Sequence, residues 1–312
     1  MLHSDVLRLI SLYLNPCKLS VCKELHDFYN DSWYFDKLTR IYPNLQSTNY
    51  KNLYKKYLKQ GDIYVNYELK SEKLLSQGIK VASQEVGELV LTFDGHLFIE
   101  TDGQKILIDN NVIDIDHNTY IKEYEWYFID DGEKYKLDIT PKNSFTKVLL
   151  GDEIFCSLTY DGIYYAGNSK DQIKFFPIND CIDIYLDFDL FVLDSQGTNY
   201  HLTMYNDELK YHYDLSEYRL VLHGSVYNYE NELIIYRRGK FQKLDIITVS
   251  NIYLPNKIDK YLYVSEGMEV IKENNKLHIY TSSEYYLKLN RETVIEEIKD
   301  IFGGSYKWYY IK

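Results

Sequence analysis

Apolar residues recur at helical spacing over the first sixty positions and at strand spacing after them. Leu7, Ile10 and Leu14 lie 3 and 4 apart, with Val6 and Tyr13 beside them, so a helix capped by Ser4 is expected, stopped at Asn15-Pro16. A second helical stretch runs from Lys18 to Tyr29 through Val21, Cys22, Leu25 and Phe28. A third holds Trp33, Phe35, Leu38 and Ile41, and a fourth covers Asn49 to Lys59, ended by Gly61. From Asp62 the period becomes two, as in Ile63 to Tyr67, Leu89 to Phe93 and Leu97 to Ile99. Asp94-Gly95, Asp131-Gly132 and Asp161-Gly162 read as hairpin turns, and Gln196-Gly197, Glu230-Asn231 and Asn274-Asn275 occupy similar settings. These turns recur at a mean of about 36 residues, a repeat length that suits four-stranded units stacked around an axis. Val112-Ile113-Asp114-Ile115-Asp116 and Cys181-Ile182-Asp183-Ile184-Tyr185 look like one repeated segment. The pattern predicts a small α-helical N-terminal domain (1–45), a helical linker (46–60) and an all-β repeat domain (61–312), a β-propeller of six or seven blades. A pair of β-sandwiches or an irregular solenoid is the competing architecture.

Composition sharpens this picture. Of 312 residues, 34 are Tyr, a residue that suits pleated, half-buried surfaces, while Gly (15) and Pro (5) are scarce. The net charge of −12 is unevenly spread. Residues 1–60 hold nine Lys/Arg against five Asp/Glu, and residues 61–312 hold 26 against 42, a balance of −16. Such an acidic surface argues against nucleic acid and favours a basic client. The one basic stripe, Lys51, Lys55, Lys56 and Lys59 among Tyr50, Tyr54 and Tyr57, reads as a linker helix with its Tyr side packed and its Lys side in water. The four cysteines, Cys17, Cys22, Cys156 and Cys181, form neither a disulfide framework nor a zinc set. The start lacks a basic n-region, and no apolar run approaches the roughly 18 residues of a membrane helix. An intracellular protein, cytoplasmic or nuclear, with reduced thiols is expected.

Little catalytic chemistry is written in the chain. It has no Gly-rich phosphate loop and no Gly-x-Ser-x-Gly elbow. The histidines are scattered: His201 and His212 flank Glu208, and His117 follows Asp116, without compact metal spacing. Asp180, Asp183, Asp187, Asp189 and Asp194 lack the Gly and the bidentate Glu of a calcium loop, so they read as a solvated strand face or rim. No catalytic, cofactor or metal residue is therefore assigned, and a non-enzyme is expected.

The N-terminal stretch resembles an F-box. Leu2, Asp5, Val6, Leu7, Ile10, Tyr13 and Leu14 match that family's opening pattern, and Pro16, Leu19, Val21-Cys22-Lys23 and Leu25 follow in its order. His3 stands where the family has Pro, and the gap from Leu19 to Val21 is shorter than usual. The β region resembles the regulator-of-chromosome-condensation type of propeller, best in Leu158 to Asn168, although the family's Gly-Gln-Leu-Gly is absent. The combination is similar to F-box proteins of giant DNA viruses, which would place it in an infected host cell. The resemblance implies a substrate-recruiting subunit of a Skp–cullin–F-box ubiquitin ligase. Leu2, Val6, Leu7, Ile10, Tyr13, Leu14, Leu19, Val21 and Phe28 would then bind a Skp-type adaptor, and through it a cullin, while the propeller holds the protein client. The excess apolar surface of so small a helical domain supports such a partner. The rival expectation is a structural or scaffolding protein whose helical cap binds a neighbour.

Overall fold

The structure is a computed structural model. It describes residues 34–35, 38–39, 41 and 50–312, apart from 68–69, 85–86, 102, 131, 152–153, 168–171, 187–189, 197–198, 206–207, 215–218, 223–225, 230–231, 238–239, 244–258, 266–267, 283–288 and 305–306. The chain divides into two compact units, Met1–Gln60 and Gly61–Lys312. In the first, the predicted fourth helix is present as α1 (Tyr50–Lys59), and residues 34–35 and 38–39 are helical. Tyr54 is buried, with its ring 5.5 Å from Tyr34 and 6.0 Å from Tyr57, while Lys51, Lys55 and Lys59 are exposed. That is the split between tyrosine and lysine faces that the spacing implies. The first two predicted helices lie outside the described residues.

The described residues of the second unit form seven four-stranded antiparallel sheets. Sheet 2 comprises β3 (Lys80–Gln84), β4 (Gly87–Leu91), β5 (Leu97–Thr101) and β6 (Gln104–Asp109). Sheet 3 comprises β7 (Asp114–Asp116), β8 (Thr119–Ile121), β9 (Trp126–Asp130) and β10 (Glu133–Lys136). Sheet 4 holds β11 (Phe145–Leu150), β12 (Phe155–Thr159), β13 (Gly162–Ala166) and β14 (Lys174–Pro177). Sheet 5 holds β15 (Cys181–Leu186), β16 (Leu190–Asp194), β17 (Asn199–Tyr205) and β18 (Glu208–Asp214). Sheet 6 holds β19 (Arg219–Leu222), β20 (Val226–Tyr229), β21 (Glu232–Arg237) and β22 (Lys240–Lys243). Sheet 7 holds β23 (Lys260–Ser265), β24 (Met268–Glu273), β25 (Lys276–Ser282) and β26 (Leu289–Glu296).

Sheet 1 is built from both ends of this unit. Its order is β2 (Lys70–Gly78), β1 (Gly61–Tyr67), β28 (Lys307–Ile311), β27 (Asp300–Gly304). Ile63 pairs with Ile311 and Tyr67 with Lys307, and Asp62 and Lys312 exchange main-chain bonds of 3.0 and 2.9 Å. The innermost strands touch in turn: β27 with β3, β3 with β7, β7 with β11, β11 with β15, β19 with β23, and β23 with β27. The sheets thus close into a ring, and joining the ends in one sheet removes the free edge there.

The core lies between neighbouring sheets rather than at a single centre. Ile63, Val65, Tyr309 and Ile311 of sheet 1 meet Val81 and Val90 of sheet 2. Trp126 and Phe128 of sheet 3 pack edge-on against Phe155 of sheet 4, and the Trp126 indole donates to Thr119 Oγ1 at 2.7 Å. Burying side chains of this size contributes roughly 1.5–3 kcal/mol each before the entropy cost. A middle strand is covered on both faces, so β12 buries all five residues, whereas the outer β10 exposes all four. This gradient is why alternation is clean only in parts of the sequence.

Asp131-Gly132 is the two-residue connection of a hairpin, as expected, between the third and fourth strands of sheet 3; its second and third strands are joined through 122–125. Asp94-Gly95 sits within a five-residue connection instead of a two-residue turn. At Gly162 a side chain could not fit, because a Cβ there would lie 2.3 Å from the Phe176 carbonyl oxygen.

Candidate functional site

The strand segments nearest the axis bring opposite charges together. Lys80 of sheet 2 donates to Asp114 of sheet 3 at 2.8 Å, and Lys147 of sheet 4 to Asp183 of sheet 5 at 2.6 Å. Lys260 of sheet 7 pairs with Asp300 of sheet 1. In each case the lysine comes from one sheet and the carboxylate from the next, so each pair bridges two sheets. Asp114 also accepts the Val148 amide at 3.0 Å, and Asp116 the Leu150 amide at 2.8 Å, which fastens sheet 3 to sheet 4. Burial works against the Lys80 ammonium, but Asp114, Asp116 and Asp183 outweigh it and raise its pKa. Burial lowers Lys260, and Lys147 and Lys80 push it the same way against Asp300. Among the described residues, three such pairs bridge neighbouring sheets near the axis.

A second cluster forms where the links between sheets meet the turns joining second and third strands. The Phe145 amide donates to the Glu123 carbonyl at 2.8 Å, and the Cys181 amide to the Tyr160 carbonyl at 3.2 Å. Tyr124 and Tyr160 are 50% and 58% exposed there, which is large for aromatics. A bond from the Tyr160 hydroxyl to Asp180 raises the phenol's pKa. Glu123 and Asp138 on the same connections are exposed. An acidic, aromatic rim of this kind suits cationic side chains.

A third junction centres on Asp109, at the end of β6. Its carboxylate accepts from Tyr120 at 2.9 Å, Lys134 at 3.0 Å and Lys122 at 3.2 Å, and from the Asn110 amide at 2.8 Å. Burial favours the protonated form, but these donors prevail and hold the carboxyl at about 2. Tyr127 stacks on Tyr120 at 4.9 Å; burial and Glu125 push the Tyr127 phenol up to about 12.

The nine expected adaptor-binding residues, Leu2, Val6, Leu7, Ile10, Tyr13, Leu14, Leu19, Val21 and Phe28, lie outside the described residues. The acidic run is not one solvated face. Asp183 is ion-paired near the axis, and Asp194 is buried, accepting from Tyr200 at 3.0 Å and the Gln196 amide at 2.8 Å. Cys156 and Cys181 are buried, and burial pushes the Cys181 thiol up to about 12 and raises Cys156 as well. Among the described residues no three His, Cys, Asp or Glu converge on a common point, and no helix is long and apolar enough to cross a membrane. Sequence reasoning missed the lysines of the ring. Lys80-Val81 and Lys147-Val148 occupy the position of Asp114-Ile115 and Asp183-Ile184, so a charge preceding an aliphatic was the repeated signal.

A closed ring of four-stranded sheets with interdigitated cores defines a β-propeller-type repeat fold. No family model matches the chain, and no curated protein matches it in sequence. Among solved structures it is similar to human WBSCR16, at 7% identity and a TM-score of 0.56 over 80% of this chain and 98% of that one. It also aligns with the WD40 β-propeller domain of Doa1 (10% identity, TM-score 0.47, 74% and 91% covered). The computationally designed Ika8 protein aligns at 12% identity and a TM-score of 0.49 over 81% and 91%. The first of these is a likeness of fold alone.

Proposed function

We propose that the protein is a substrate-recruiting subunit of a Skp–cullin–F-box ubiquitin ligase. Residues 1–45 dock a Skp-type adaptor, 46–60 link, and a seven-bladed propeller over 61–312 receives the client. The observation that carries the reading is the ordered match of Leu2, Asp5, Val6, Leu7, Ile10, Tyr13 and Leu14 to the F-box pattern, in a unit separate from a ring with its own cores. The chain acts by proximity, and the ligase performs the transfer. The acidic, aromatic rim around Tyr124 and Tyr160 supports a basic client.

Ile10→Asp with Leu14→Asp tests this. Two aliphatic side chains on one helical face contribute about 3–6 kcal/mol to docking before costs, and carboxylates there add a desolvation penalty. Skp binding measured by calorimetry should vanish, while the melt of the ring stays in place. Wild-type protein without affinity for any Skp homologue overturns the proposal.

A further inference from the structure

Among the described residues each sheet ends in an outer strand paired on one side, and most of these strands carry a guard against further pairing. β10 reads Glu-Lys-Tyr-Lys, β14 ends in Pro177, β22 has Lys240 and Lys243 at its ends, and β2, β18 and β26 are interspersed with charges. β6 differs: its charges, Lys105 and Asp109, flank three consecutive aliphatic residues, Ile106, Leu107 and Ile108. Ile106 is 48% and Leu107 49% exposed. They emerge on opposite faces, since Ile106 pairs with Ile99 of the core shared with sheet 3, and Leu107 with Phe98. Bonded pairs alternate from Thr101–Gln104, which closes the hairpin, so Lys105 and Leu107 aim both amide and carbonyl away from β5. A register shift beyond Leu107 then ends the regular stretch. Lys105 lies 3.9 Å from the Phe98 ring centre and makes no ion pair with another described residue.

We infer that β6 is a docking edge for an extended segment of a protein partner, which adds a strand beside Lys105–Leu107. The main-chain groups of Lys105 and Leu107 specify an extended backbone. Ile106 and Leu107 specify aliphatic side chains on both faces of that segment, and the Lys105 ammonium specifies a carboxylate beside them. A second copy of this chain fits less well. Three residues bury far less than the roughly 1,200 Å² of a stable interface, and each copy carries −12. The inference is independent of the ligase reading and fails or stands without it.

The probe is a fluorescein-labelled peptide, acetyl-Ser-Glu-Val-Ile-Val-Ser-amide, titrated with the full chain by fluorescence anisotropy. Wild type should bind it, and Leu107→Pro should weaken binding at least tenfold with an unchanged melt. The proline removes an N–H that faces outward and is no part of the ladder. Ile106→Lys, which keeps the backbone, should show the same loss and decides the matter should the proline variant fail to fold. Exchanging the peptide's Glu for Lys should weaken binding at low salt. No binding by wild type, or equal binding by wild type and the Ile106→Lys variant, overturns the inference. So does a dimer in sedimentation that Ile106→Lys dissolves, because the edge would then belong to a second copy.

Discussion

Asp109 offers the sharpest test of how adjacent sheets are joined. It leaves sheet 2 and is held by Tyr120, Lys122 and Lys134 of sheet 3 or its connections, with its side chain only 10% exposed. Its pKa falls from the ordinary 3.8 to about 2. At 1.36 kcal/mol per unit, the charged form contributes about 2 kcal/mol to the folded state. The Asn110 amide lowers the pKa most, followed by Lys134, Tyr120 and Lys122, and solvent screening weakens the share of the half-exposed Lys134. A depressed carboxyl contributes stability above its unfolded value, and that stability is lost as pH falls through 3.8 towards 2. Asp109→Asn keeps the shape and removes the charge. Urea unfolding of both proteins from pH 7 down to 2 should show a gap of about 2 kcal/mol near neutrality that shrinks below about pH 4 and is nearly closed at about pH 2. Other carboxylates titrate in both proteins and cancel in the difference. A gap that stays constant with pH, or none at pH 7, refutes the assignment of this junction to charge.

Two further outcomes concern the fold. Truncation after Gly304 removes β28, the partner of both β1 and β27, so the thermal transition of the whole ring should drop by more than about 10 °C or disappear; an unchanged melt argues against closure through sheet 1. Gly162→Ala forces a Cβ against the Phe176 carbonyl, and denaturant unfolding should show a loss of at least about 2 kcal/mol, whereas a neutral result means that β14 yields easily.

The strands and their repeat were legible because they rest on local signals. Ile63 to Tyr67 alternates, and the Asp161-Gly162 signal falls where β12 turns into β13, with Gly162 the first residue of β13. Lys307–Ile311 is as strand-like in its sequence as Ile63 to Tyr67, with which it pairs. What could not be read was the pairing of charges across sheets. Lys80 and Asp114 are 34 residues apart, and Lys147 and Asp183 are 36 apart, about one repeat. Each looks like an ordinary surface charge until the ring sets them side by side. Asp194 was misread for the same reason: its burial depends on Tyr200 from the next strand, which no charge run reveals.

The alternating charges also meet a constraint of parity. Around the ring the innermost strands carry Asp300, Lys80, Asp114, Lys147 and Asp183 in turn, then Arg219 in β19 and Lys260 in β23. Alternation cannot close over an odd number of sheets, and Lys80 and Lys260 sit differently among these charges. The protonation energetics differ accordingly. Lys80 has a raised pKa, so its charge contributes stability that is present below 10.5 and lost as pH rises past the folded value. Lys260 has a lowered pKa, so holding its proton costs the folded state something below 10.5. Lys80→Met leaves Asp114 buried without its cation and should cost about 3 kcal/mol. Lys260→Met also strands a carboxylate, Asp300, but relieves burial of a charge and its repulsion by Lys147 and Lys80. It should therefore cost at least about 1 kcal/mol less than the first substitution. Denaturant unfolding at pH 7 measures both. A larger loss for Lys260→Met than for Lys80→Met would show that Asp300 and Lys260 form the stronger clasp and that the repulsion by Lys147 and Lys80 does not decide the difference.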